Sequence, residues 1–140
     1  MSFGPADLYV VEFSDAAPPD EVTAELRDVT TAGVITLLDL ALVRGGVDGA
    51  AAVVELDDLS DEFGLAGVRP LVPGLIGDDD LRQLGAGLGR GELALVVLLE
   101  NTWARRLARA ARDGETRVRQ VERFSAEVVN EVAGLAGVPV

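Results

Sequence analysis

A strand–helix–strand pattern occurs twice in this chain, and that repeat limits the folds open to it. The first copy runs through an apolar strand (Leu8–Phe13), a helix (Asp20–Ala32) and a second strand (Val34–Val43). The second runs through Leu93–Glu100, a helix (Thr102–Asp113) and a strand (Thr116–Phe124). Two such units in one short chain predict an α+β fold: a ferredoxin-like, split βαβ sandwich of about five strands. A length of 140 residues predicts one domain over 1–140, able to bury a core without staples. Residues 57–91 read as an irregular and helical insertion, and 125–136 as a C-terminal helix.

Helical spacing fixes the expected inner faces. Val22, Leu26 and Val29 fall at i, i+4 and i+7 in the helix of the first copy, and Trp103, Leu107 and Ala110 do so in that of the second. Asp78-Asp79-Asp80 offers an N-cap and first-turn acids to a helix with Leu81, Leu84 and Leu88 inward. Ser125 is placed to cap a last helix carrying Val128, Val132 and Leu135. Leu93–Leu99 is apolar without interruption, the pattern of a central strand covered on both faces. Arg44-Gly45-Gly46-Val47-Asp48-Gly49 reads as a hairpin turn before a strand over Ala50–Leu56. Several strands are apolar on both parities, so the second sheet face also needs a cover. The C-terminal helix, the Gly64–Gly77 segment or a second subunit could supply it, and the pattern favours a homodimer.

Composition removes most chemistries. The chain has no His and no Cys, and all 12 of its basic residues are Arg. Thiolate, imidazole and lysine nucleophiles are therefore missing, as are disulfides. No cofactor and no metal is predicted, and the reading is of a non-enzyme. Asp57–Glu62 and Asp78–Asp80 lack the alternate spacing of a calcium loop and are read as helix starts. The glycines at 85, 87, 89 and 91 precede a strand, the wrong order for a phosphate-binding loop at a helix N-terminus.

A net charge of −12 argues against nucleic acid as a partner. Seven arginines nonetheless crowd into 105–123 against three acids. Arg105, Arg109, Arg112, Arg117 and Arg119 are the candidates for an interaction stripe toward a second copy or an acidic partner. Carboxylates are the remaining catalytic or ligand-binding groups. Glu12, Asp39 and Glu100 lie in or at the ends of strands and could converge on one face, with Trp103 as a platform for a small ligand. The bland alternatives are acids at strand ends, Asn101 as a helix N-cap and Trp103 as a core anchor. The N-terminus lacks a signal-peptide pattern, and the longest apolar run is far short of the roughly 20 residues that span a bilayer. A soluble, cytoplasmic protein without an integral membrane segment is expected.

Leu8-Tyr9-Val10-Val11-Glu12-Phe13, Ile35-Thr36-Leu37-Leu38-Asp39-Leu40 and Glu100-Asn101-Thr102-Trp103-Ala104, with the late Ser125-Ala126-Glu127-Val128-Val129, resemble a bacterial family of small proteins of unknown function. That family is similar in turn to stress-associated glycine-zipper proteins, also of unknown function and sometimes described as membrane proteins. The resemblance implies the same order of strands and helices and supplies no reaction. Where the broader group carries a glycine-zipper hairpin, this chain holds Leu65–Ile76, too short and too Pro-broken to cross a membrane. The function expected is a self-associating interaction or regulatory domain. The alternatives are a small-molecule site on the sheet and peripheral membrane attachment through 65–76.

Overall fold

The computed structural model describes residues 3–14, 20–47, 49–54, 68–111 and 119–139. Among them are four strands, β1 (Ala6–Phe13), β2 (Thr36–Gly45), β3 (Ala51–Val54) and β4 (Leu93–Glu100). Four helices accompany them: α1 (Asp20–Thr31), α2 (Asp78–Leu84), α3 (Thr102–Ala110) and α4 (Ala126–Leu135). The chain divides into two compact units, Met1–Leu107 and Ala108–Val140.

The first unit is an open sheet in the order β1-β4-β2-β3, every neighbouring pair antiparallel. β1 and β2 therefore run parallel, with β4 inserted between them. The strand–helix–strand unit β1–α1–β2 is split by a strand from much later in the chain. This is a mixed α/β fold with four strands among the described residues. Of the expected fifth strand, 119–124 is irregular and exposed, and 116–118 lies outside the described residues. The expected helix over 57–63 also lies outside them.

β4 is the axis of the core. Leu93, Leu95 and Val97 face one side, where Leu26 of α1 meets Leu37, Leu40 and Leu42 of β2. Ala94 and Val96 face the other, against Ala41 and Val43 of β2, Leu81 of α2 and Leu88. Burying each of these Leu and Val side chains stabilises the fold by about 1.5–3 kcal/mol, which is why an unbroken apolar run forms the central strand. The second face is thus covered by the chain itself over β2, β3 and part of β4. Ile76 and α2 supply that cover.

Two close approaches set the shape of this cover. Gly45 donates its N–H to the Glu92 carbonyl at 2.8 Å and accepts from the Gly91 N–H at 3.2 Å. A Cβ on Gly45 would collide with the Gly89 carbonyl oxygen and Leu88. At the other end of β2 a bulge shifts the register between Leu37 and Asp39. There the Leu37 and Leu38 carbonyls accept from the N–H groups of Leu71 and Val72, at 2.9 and 2.8 Å.

Four sequence expectations change. β2 starts two residues late, because Gly33 takes a left-handed turn (φ 79°) and the chain stays bent through Ile35. Leu84 is exposed, while Leu81 and Leu88 are buried; α2 ends at Leu84, so Leu88 reaches the core from a turn rather than from the helical stripe. The α2 N-cap position is Gly77, with no side-chain cap, and the three Asp fill the first turn instead. The largest change is in α3, whose Trp103 and Leu107 point outward, 53% and 60% exposed.

In the second unit, Ser125 caps α4 as its spacing predicts, its Oγ accepting the Val128 N–H at 3.3 Å. No α4 side chain is buried.

Candidate functional site

The segment Glu100-Asn101-Thr102-Trp103 is where β4 turns into α3, and it ties three parts of the chain together. The Glu100 side chain is fully buried. Its Oε2 accepts the Gly4 N–H at 2.6 Å. Its Oε1 accepts the Thr102 hydroxyl at 3.1 Å and pairs with Arg105 Nη2 at 3.4 Å. Thr102 and Thr36 lie hydroxyl to hydroxyl at 2.5 Å. With Thr102 donating to Glu100, Thr36 donates to Thr102, and a chain of hydrogen bonds runs from the start of β2 into the carboxylate.

The neighbouring residues extend the junction. Asn101 donates its backbone N–H to the Pro5 carbonyl at 2.8 Å and its side-chain amide to Asp7 at 3.1 Å. Its carbonyl accepts from Ala104 and Arg105, so Asn101 holds the N-cap position while its side chain serves β1. Trp103 donates its backbone N–H to Val34 at 3.1 Å. Gly4 is required by closeness, since a Cβ there would press on the Arg105 side chain.

Asp39 forms a second anchor. Its Oδ1 accepts from the N–H groups of Leu40 (2.9 Å) and Gly74 (3.3 Å), and its Oδ2 accepts from Ile76 (2.7 Å). The carboxylate therefore holds the 71–77 segment against the bulge of β2. Both oxygens of this buried carboxylate thus have N–H donors.

The carboxylates share a face without forming a site. The register puts Glu12, Asp39 and Glu100 on the second face, beside Ala94, Leu98 and the end of β4. Glu12 stands six residues along β4 from Glu100, roughly 20 Å at 3.3 Å per residue, and is exposed. Asp39 is two residues from Glu100 along the sheet, but each is occupied by its own donors. Trp103 projects to solvent and offers them no platform. Among the described residues no three acids could hold one metal ion.

The arginine candidates also separate. Arg105 turns inward to Glu100, with its Nε buried and without a partner among the described residues. Arg109 and Arg119 are exposed, and Arg112 and Arg117 lie outside the described residues.

Open space lies elsewhere. A groove of about 510 Å³ is lined by Leu8 of β1, Leu98 of β4, Leu75, Ile76 and the α2 residues Asp80, Gln83 and Leu84. Other depressions of about 610 and 490 Å³ are lined by the end of α1 with 68–71, and by β2, β3 and α2. Asp39 lines the last of these at its edge, and Glu12, Glu100 and Trp103 line none of the three. Sequence reasoning missed the groove because Leu75, Leu84 and Leu98 come from three separated segments with no common period.

A family model described as a family of unknown function (DUF6325) matches residues 2–136. The chain belongs to that family. No curated protein and no solved structure matches it. The matched stretch includes the residues of both anchors, the groove and α4. No helix among the described residues is long and apolar enough to cross a membrane.

Proposed function

We propose that this chain is a non-enzymatic interaction domain that pairs with a second copy of itself through the open β1 half of its second sheet face. One observation carries the reading. Leu8 and Val10, 45% and 39% exposed, stand on that face beside the groove of Leu75, Leu84 and Leu98, while the rest of the face is sealed by α2 and Ile76. Contiguous apolar surface of this kind marks an interface. Among the described residues β1 is also an edge strand, and edges are ready templates for pairing. A two-fold pair covers the same patch on both copies at once.

The polar groups support the same reading. Asp39 is spent on backbone N–H groups and Glu100 on the Gly4 N–H, the Thr102 hydroxyl and Arg105, and the chain has no His, Cys or Lys to take over the chemistry. A regulatory role in a bacterial cytoplasm and a ferredoxin-like kinship for the split β1–α1–β2 unit belong to the proposal, supported by the resemblance in the strand and Glu-Asn-Thr-Trp-Ala segments.

Sedimentation across a concentration series tests it. A reversible dimer supports the reading, and a monomer at every concentration overturns it. A second reading, a small apolar ligand in the groove, is favoured by the groove's volume and by Asp80 and Gln83 at its margin. A monomer that retains a reproducible small adduct through purification would select that reading. Membrane attachment through 65–76 has less support, since the described part of that segment is pinned to β2 and shows only Leu71 and Leu75 as exposed large apolar groups.

A further inference from the structure

α3 sits the wrong way round for an amphipathic helix. Its polar Thr102 and Arg105 turn inward to Glu100, and its apolar stripe of Trp103, Leu107 and Ala110, at i, i+4 and i+7, is exposed. Arg106 borders the stripe, three residues after Trp103 and four before Ala110, with Arg109 beyond it. The helix carries no acid.

α4 has the matching deficit. Val128, Val132 and Leu135 form an exposed stripe at i, i+4 and i+7. Glu131 borders it, three residues after Val128 and four before Leu135, and Glu127 lies one turn earlier. The helix carries no basic residue. It has ten residues and buries none of them. Isolated helices shorter than about 12–15 residues are marginal in water, so α4 needs a surface to lie on.

We infer that α4 of a second copy docks on the outward stripe of α3, and that the exchange is reciprocal. Charge selects this surface over the β1 groove, whose margin carries Asp80 beside Asp78 and Asp79 and would repel Glu127 and Glu131. On α3 the same acids meet Arg106 and Arg109. Like charges facing each other disfavour a pairing and opposite charges fix its register. A two-fold exchange forms the contact twice, covering both deficits in both chains. The inference rests on the self-association proposed above and assigns it a second surface, separate from β1.

Trp103 is the only tryptophan, so its fluorescence reports on this surface alone. The experiment follows its emission wavelength and acrylamide quenching against concentration, together with the sedimentation mass, in the full chain and in Leu107→Glu and Val132→Glu. Both positions are exposed, so the fold tolerates the charge. The expected result is a shift to shorter wavelength and a several-fold loss of quenching as the dimer forms. Val132→Glu should abolish the shift, and mixing the two variants should restore part of it, since one intact α3 and one intact α4 remain. A dimer whose Trp103 stays quenchable would overturn the inference and leave self-association standing. A monomer with Trp103 quenchable at every concentration would overturn both. Quenching protection independent of concentration would mean closure by the chain's own helix, and would overturn exchange.

Discussion

Arg105 reaches Glu100 at 3.4 Å from the inner side of α3, and this pair decides which way the helix faces. The acid is fully buried and the arginine side chain is 19% exposed. Satisfying the carboxylate requires Arg105 and Thr102 to point inward, and the same rotation carries Trp103 and Leu107 out. A buried charge left unpaired costs more than leaving two apolar side chains partly wet.

Removing that carboxylate should therefore be severe. Glu100→Ala leaves the Gly4 N–H, the Thr102 hydroxyl and the Arg105 guanidinium without their acceptor, and should cost about 3–5 kcal/mol. Glu100→Gln keeps an acceptor but loses the charge, and should cost less. Urea unfolding of both variants checks the order.

Trp103→Ala should behave like a surface substitution. A buried Trp→Ala change costs about 3–5 kcal/mol, whereas the loss here should stay below about 1 kcal/mol in the monomer. Thermal unfolding at low protein concentration gives the answer.

The sequence pattern carried the core strand and little of this orientation. Leu93–Val97 reads as central because every residue is apolar, and it is buried on both faces. Leu26 and the Ser125 cap follow from local spacing for the same reason. Periodicity finds a helix stripe but not its direction, and in α3 the stripe faces out because Gly4 and Thr36 come from distant positions to meet Glu100 and Thr102 at its base. Asp39 was legible as a lone charge in an apolar strand. Its role was not, because its donors, Gly74 and Ile76, lie more than thirty residues away.

Asp39→Ala should release the 71–77 segment. The Gly74 and Ile76 N–H groups lose their acceptor, at about 1–3 kcal/mol for each group left unsatisfied. Hydrogen exchange should accelerate at Gly74 and Ile76 well before it does in β4. Equal acceleration throughout would show that the anchor is global.

Two glycines should respond oppositely to the same change. Gly45→Ala drives a methyl group into the Gly89 carbonyl and Leu88, costing about 1–3 kcal/mol or more. Gly87→Ala meets nothing within 4 Å and should stay within about 0.5 kcal/mol. Denaturant midpoints of the pair measure the contrast.

The central claim is that the open β1 half of the sheet is closed by a second copy. Native mass spectrometry of the full chain beside Leu8→Glu tests it most directly, because Leu8 is exposed and a charge there spares the core. The account predicts a dimer without added mass, and for Leu8→Glu a folded chain whose dimer is many-fold weaker. A monomeric parent chain, or a Leu8→Glu dimer as tight as the parent, would contradict it.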